Sequence, residues 1–577
     1  MNTYQYKKLN TDKEEIRLVH LFPGTFDDEI AFTISHVPLP PRQAPLSKRL
    51  PMSKIAKTVP KDWIAFETRE ERYLFAQTVD PWQTTWDHPD PTFDRTLYEP
   101  PENASMPYQP SYEALSYTWG SQSNTVKARV LVPGPSGSFP CQFYLGANLA
   151  SALRHLRDRE SSRCLWIDAI CINQEDVSER NAQVRRMRLI YSLAERVVMW
   201  IGEETYESKL ALETLTYIGS QIEADASLSL IAHAPNAKDT EMHDPTYVPS
   251  YIPETWVAIS SLFARPWFSR AWVLQEHQLS SAQSIMQCGT VTCLFNPIRR
   301  AILTLSLKQK LPQNLFLRLN AFSRPLGTPG KQNFARLLLF ARSIDCTDPR
   351  DRVYAILGLA PQPVVERIHP MYSLSTREVY EDAFLGYYEV TGRLDLLLQC
   401  DGDIDSDLWP SWLPKWSKRG TWIGLPTSKE MRTASGPSQA WVEIKKQPFE
   451  FLEVLGLYST DAVRHLVPVQ SEALQHSYQE TLQKFARSQE AEAGGGADSV
   501  INAVLEALCL GMTDERYPDE VRPSLTELRE EFDRGLTNGP DAPIMRKTIV
   551  ADIGDNSTLF MTGSGHVGIA SSRVQEG

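Results

Sequence analysis

The chain has 577 residues, 42% of them hydrophobic, which is enough for several globular domains with their own cores. A net charge of −12 and a pI of about 5.5 exclude a basic face for non-specific nucleic-acid binding. Eight cysteines lie scattered; the nearest pair, Cys288 and Cys293, lacks a second pair at zinc spacing, so the expectation is structural thiols, no metal and a reducing compartment. The opening MNTYQYKKLN carries no apolar signal core, and no stretch approaches the roughly 20 apolar residues that span a bilayer. A cytoplasmic protein without a membrane span is expected.

In chain order, IRLVHLF (Ile16 to Phe22) and IAFTISHV (Ile30 to Val37) predict two strands around the turn-forming PGTFDDE. Residues 38–110 are rich in proline and charge and predict a long surface insertion with some helix around Trp63 to Gln77. Tyr112 to Gly120, YEALSYTWG, predicts a strand ending at a glycine that frees the backbone. ARVLVPG and QFYLG then predict a hairpin, and Asn148 a helix cap. Leu165 to Gly202 predicts strand, loop, helix and strand in one run. LWIDAI is the apolar strand carrying Asp168, Asp176 and Glu179 are spaced as an N-cap pair, and RVVMWIG is the returning strand. A strand, crossover helix and second strand imply a parallel sheet, whose ligands bind at the strands' carboxyl ends, where Asp168 to Gln174 lie.

Further on, a helix is expected near Leu210 to Ala224. Pro253 to Ser280 predicts two helices broken at Arg265-Pro266, the second carrying Trp272 and Glu276. Residues 291–420 read as mainly helical, with Gly358 closing the helix of Asp348 to Pro361 and PSWLPKW (Pro410 to Trp416) packing across a surface. Residues 421–577 read as β-rich with a helical insertion that includes a Gly-rich linker and a Ser524/Glu527 capping box. The chain stops soon after a strand-like segment, which leaves room for a further strand beyond it.

YEALSYTWG, LWIDAICINQEDVSERNAQVRRMRLIYSLAERVVMWIG and RPWFSRAWVLQE together resemble, in order and spacing, the fungal heterokaryon incompatibility (HET) domain. The resemblance extends upstream through IRLVHLFPG and downstream through DPRDRVYAILGLAP and PSWLPKW, while the 38–110 insertion is longer than the pattern. It implies a role in allorecognition and programmed cell death, through self-association or an incompatibility partner protein. A looser resemblance links the same blocks to TIR domains, flavodoxin-like signalling modules. It implies a flavodoxin-like, TIR-like α/β domain over 1–290, followed by a helical region over 291–420 and a β-rich part over 421–577. In TIR domains that hydrolyse NAD, the glutamate of a W-x-x-x-E helix is catalytic; the matching residues are Trp272 and Glu276.

By that resemblance Glu276 is the candidate catalytic residue, with NAD as substrate and no cofactor. Nicotinamide is a good leaving group, so the reaction chiefly needs a carboxylate to steady a ribosyl cation. Tyr117, Trp119 and Trp166 are candidates to stack on flat rings. The competing reading of Glu276 is a surface salt bridge, with Trp272 in the core. Asp168, on a strand meant to be buried, needs a partner such as Arg270 or the backbone N–H groups of Cys171 to Gln174, and both a structural and a catalytic role fit it. Cys171 could be read as a nucleophile, but without a His at a recognisable partner position the small buried residue is the favoured reading, whereas Asn173 and Gln174 read equally as ligand contacts or loop pins. Two glycine motifs fail. Gly563 to Gly568 has the G-x-G-x-x-G pattern without a following helix, and Gly327 to Lys331 lacks P-loop spacing. The arginines of 180–188 are flanked by Glu179 and Glu195 and read as a solvated face or a protein contact more than as a phosphate site. An enzyme and a non-enzymatic assembly module both remain open.

Overall fold

In the computed structural model, the short apolar runs of the first 300 residues become one nine-stranded sheet. The structure describes residues 2–40, 49–79, 82–99, 110–121, 123–134, 137–225, 230–308, 311–323, 330, 332–400 and 409–418, and beyond these short pieces, chiefly 439–445, 451–454, 462–469, 502–505, 557–564 and 566–571. The Gly-rich linker and most of the Gly327 to Lys331 segment lie outside the described residues. Two compact units divide the chain: residues 1–340 with 344–375, and residues 341–343 with 376–577.

The first unit opens with a hairpin of β1 (Glu15–Leu21) and β2 (Ala31–Pro38). A one-turn helix α1 (Met52–Ile55) follows, then a small antiparallel sheet of β3 (Trp63–Glu67), β4 (Tyr73–Gln77) and β5 (Thr84–Thr85). Helix was expected here, and the physical reason for the difference is the period. Tyr73 and Phe75 bury with Ile55 and Tyr98, while Leu74 and Ala76 bury with Phe66 and Ala232. Alternate residues thus enter two different small cores, the signature of a strand.

Next come β6 (Glu113–Ser116), the long hairpin β7 (Thr125–Gly134) and β8 (Gly137–Gly146), α2 (Ala147–Leu156), β9 (Arg163–Trp166), the one-turn α3 (Asp168–Cys171), α4 (Val177–Leu193) and β10 (Arg196–Trp200). They lead to α5 (Tyr206–Ser220), the small hairpin β11 (Ile222–Ala224) and β12 (Ile231–His233), α6 (Pro253–Phe263), α7 (Ala271–Gln278), β13 (Ile285–Cys288) and β14 (Val291–Leu294). Helices α8 (Phe295–Leu307), α9 (Gln313–Ser323), α10 (Phe334–Ala341), α11 (Asp351–Leu357) and α12 (Gln362–Arg367) complete the run.

The sheet order is β14-β13-β10-β6-β9-β1-β2-β7-β8. Its centre, β9, β6, β10 and β13, is parallel; β14 and β1 flank it antiparallel, and beyond β1 the strands β2 and β7 pair in parallel before the antiparallel edge strand β8. The predicted parallel sheet is therefore the middle of a larger mixed one. β9 and β10 are parallel with β6 between them, so the crossover helix α4 passes over one strand. Counted from β6, the parallel strands stand in the order second, first, third, fourth, the beginning of the flavodoxin-like order. The core is continuous across the sheet, with Leu115, Trp166, Val198, Met199 and Trp200 at most 1% exposed.

Two local expectations change. Helix α2 starts after Gly146 without a side-chain cap, and Asn148 instead donates to the Thr118 carbonyl at 2.6 Å while its Oδ1 accepts the Trp200 indole N–H at 3.0 Å. Asp168 follows the strand and opens α3, because β9 ends at Trp166.

In the second unit α13 (Thr376–Thr391) packs on the aromatic–proline segment: Tyr380 meets the fully buried Trp416 at 4.9 Å and Phe384 meets Trp412 at 5.3 Å. The pieces farther on include the hairpin β15 (Val442–Lys445) and β16 (Phe451–Val454), and the sheet β17 (Val463–Val469), β18 (Ser557–Thr562) and β19 (Val567–Ser571). β18 and β19, on either side of the 563–566 segment of the glycine motif, pair antiparallel, and a strand stands where the fingerprint needs a helix. Among the described residues no helix is long and apolar enough to cross a membrane.

Candidate functional site

In an open parallel sheet, successive crossovers leaving a central strand in opposite directions open a crevice at its carboxyl end. Here that strand is β6, with β9 on one side and β10 on the other. Its last residue is Ser116, and Tyr117, Thr118 and Trp119 form the exit loop. Asn148 ties this loop to the end of β10, donating to Thr118 and accepting from the Trp200 indole.

Helix α7 brings Glu276 beneath this point. The Ser116 hydroxyl donates to the Glu276 carboxylate in a short hydrogen bond, and the Trp267 indole donates to the Ser116 oxygen at 2.9 Å. Glu276 is 2% exposed. Burial pushes its carboxyl up to about 7, against the lowering influence of Arg270, Ser116 and Tyr191; the nearby Asp168 charge adds to the rise. Arg270, the residue before α7, donates to the Tyr117 carbonyl and stands close enough to act on both carboxylates.

Asp168 is only partly buried by its exposed surface, yet lies deep in protein atoms, and burial raises its pKa. Its Oδ2 accepts the Trp119 indole N–H at 2.8 Å, its Oδ1 the Ala169 N–H at 2.7 Å, and Tyr117 bonds it as well. The predicted partner Arg270 acts on it by charge, while the Trp119 indole and the Ala169 N–H bond it directly. Two carboxylates, one arginine and the aromatic pair Tyr117 and Trp119 therefore meet at the carboxyl ends of β6 and β9. Such a cluster can hold a cationic or ring-bearing ligand group and can shuttle a proton near neutral pH.

Cys171, Asn173 and Gln174 belong to a pinned loop beside it. The Cys171 thiol, 1% exposed, accepts the Ile167 N–H at 3.3 Å, and burial pushes it up to about 12, so it is held as a neutral thiol. Gln174 donates to the Asp168 carbonyl at 3.1 Å. The loop is fixed by Arg17 from β1, a fully buried guanidinium that grips both oxygens of Glu179 at 2.5 and 2.9 Å and the Cys171 carbonyl at 2.9 Å. Asp176 caps α4 through the Glu179 N–H as expected, but the Glu179 carboxylate goes to Arg17 and to the Asn173 N–H.

Trp272 and Glu276 serve different neighbours. Trp272 and the Tyr372 hydroxyl bond Asp351 of α11, whose carboxyl burial pushes up to about 6. In the same contact Gln275 Oε1 accepts the Gly358 N–H at 3.2 Å, and a Cβ at Gly358 would lie 2.4 Å from that oxygen. Gly358 keeps an ordinary right-handed conformation, so its need is close approach more than a left-handed cap. Sequence reasoning missed Ser116, Trp267, Tyr191, Arg17 and Asp351. Each is defined by a partner far along the chain, and only Ser116 carried a signal, its place at the end of a strand.

Among the described residues no group of three His, Cys, Asp or Glu side chains gathers as metal ligands. No solved structure matches the chain. A family model described as heterokaryon incompatibility protein (HET) matches residues 112–276, which run from the residue before β6 to Glu276. Heterokaryon incompatibility protein 6, OR allele, of Neurospora crassa is 28% identical over 391 residues, 58% of this chain and 57% of its own length. The chain thus spans little more than half of that relative. The three sequence blocks, the α/β sheet that joins them and the family match agree: the chain carries a heterokaryon incompatibility (HET) domain over residues 112–276.

Proposed function

We propose that the chain acts in heterokaryon incompatibility, and that its HET domain does so by hydrolysing NAD when chains cluster. In this reaction the bond between the nicotinamide nitrogen and ribose C1′ breaks and water adds at C1′, giving nicotinamide, ADP-ribose and a proton. The observation that carries this reading is Glu276, an ionisable carboxylate held by Ser116 at the carboxyl end of the central strand. As a carboxylate it steadies the ribosyl cation, Trp119 offers a stacking face, and Arg270 holds the surroundings in place. The test is nicotinamide release from NAD by the purified, concentrated chain. Release is expected, and Glu276→Gln should lower it by about 100-fold or more, the loss of one electrostatic stabiliser. An inactive native protein, or undiminished release by Glu276→Gln, overturns the reading.

One observation favours a second reading, a signalling module that works by self-association or by a partner protein. Glu276 is 2% exposed and already hydrogen-bonded, whereas a catalytic carboxylate must be reached by substrate. On this reading Glu276→Gln retains the incompatibility phenotype in cells.

A further inference from the structure

Three segments meet: the turn between β3 and β4, the end of α7, and α8. Arg69 in the turn donates through Nη2 to the carbonyls of His277, Gln278 and Ser280 at 3.3, 2.6 and 2.8 Å. Its neighbour Glu70 accepts from Asn296 at 3.0 Å and Arg300 at 3.3 Å, and Arg300 also grips Glu223 at 2.5 Å. Both glutamates are thus committed to Arg300.

Arg299 is left out. It is 3% exposed, and its Nε and Nη2 are sealed from water without a hydrogen-bond partner among the described residues. His277 is 0% exposed, and neither ring nitrogen has a partner there, although a neutral imidazole carries one donor and one acceptor. The His277 ring stacks on Phe322 at 4.7 Å and meets Phe295 at 5.7 Å, so apolar walls enclose it. Burial and the like charges of Arg69 and Arg300 weigh against the charged form of Arg299, and Glu70 and Asp225 favour it from a distance. Asp225 Oδ1 accepts the Leu230 N–H at 2.8 Å. A guanidinium does not give up its proton in a protein, so the unmatched charge calls for an anion.

We propose that Arg299, with Arg69 and the His277 ring, binds a phosphate-class anion between α7, α8 and the β3–β4 turn. The Nε and Nη2 groups of Arg299 present two donors suited to two oxygens of a tetrahedral oxyanion, and a His277 N–H supplies a third donor. The ligand is free orthophosphate or the phosphate group of a small metabolite. None of these residues belongs to the Glu276 cluster, so the site stands independently of NAD chemistry.

Equilibrium dialysis of the full chain against radiolabelled orthophosphate, with chloride at matched ionic strength, tests it. Saturable binding of one phosphate per chain is expected, with a raised Tm in phosphate over chloride. Arg299→Met should weaken binding by about tenfold or more while melting in chloride no lower than the native chain, since the unpaired charge is gone. Arg299→Lys, which keeps charge and loses the fork, should also bind at least about tenfold more weakly, and serves if the methionine variant fails to fold. Competition by glucose 6-phosphate below the concentration at which orthophosphate competes identifies a metabolite phosphate, and competition only by orthophosphate identifies the free ion. No saturable binding by the native chain, or equal binding by the folded variants, overturns the proposal.

Discussion

The Ser116 hydroxyl and the Glu276 carboxylate join residues 160 apart in the chain, linking the end of the central strand to α7, and the same hydroxyl oxygen accepts the Trp267 indole. Ser116→Ala removes the donor to one buried group and the acceptor of another. The expected cost is about 1–3 kcal/mol, the range for leaving buried polar groups unsatisfied. Because Ser116 lowers the Glu276 pKa, the variant should also raise it further. Urea unfolding checks the first effect, and carbon NMR titration of the labelled glutamate the second.

Burial raises Glu276 from its ordinary 4.5 to about 7 in the folded chain. The folded state therefore holds this proton more tightly than the unfolded state. The contribution to stability is fully present below about pH 4.5 and is lost as pH rises to about 7, by up to about 3 kcal/mol. Glu223 at about 7 and Asp351 at about 6 act with the same sign over overlapping windows. Native stability measured by urea should thus fall across this range, and Glu276→Gln, which cannot ionise, should make the fall shallower. A variant with the native slope would remove Glu276 as its source.

The strand blocks and the helix of α7 were legible because each is a local pattern: an apolar run, a polar loop, a period of 3.6. The W-x-x-x-E pair was legible as a pair, but its two members turned out to hold different elements, Trp272 on α11 and Glu276 on β6. Residues such as Ser116 and Arg17 gain their meaning from partners 160 and 162 positions away, and no local periodicity encodes that. The β3–β4 hairpin escaped notice for a related reason. Both faces of β4 are buried, so the run YLFA loses the polar alternation that marks a half-exposed strand.

Arg17 and Glu179 form a nearly sealed pair, their side chains 0% and 9% exposed. Removing one partner of such a pair strands the other charge in protein. Arg17→Met should destabilise by about 3–5 kcal/mol. It also frees the Cys171 carbonyl and loosens the loop that carries Asn173. Arg17→Met with Glu179→Gln should recover part of that loss, because no charge then remains unpaired. Chemical denaturation of the two single variants and the double variant measures the coupling, and additive losses would deny it.

Gly219 lies near the end of α5, where the helix touches the first turn of α8. A Cβ there would stand 1.7 Å from the Pro297 carbonyl oxygen and 2.8 Å from its Cα, both backbone atoms. The Gly219 carbonyl also accepts Arg300 Nε at 3.0 Å, so displacing the helix pulls on the arginine that holds Glu70 and Glu223. A flexible side chain could swing aside; this backbone cannot. Gly219→Ala therefore forces α5 and α8 apart, and the gain in helix propensity of about 1 kcal/mol does not offset it. Overpacking of this kind costs about 1–3 kcal/mol or more. The expected outcome is a Tm several degrees lower, measured by differential scanning calorimetry. At Gly392, which follows α13 at a φ of +66°, alanine is strained by its backbone angle and meets only a side chain, Gln439, so the comparison separates backbone strain from a backbone clash.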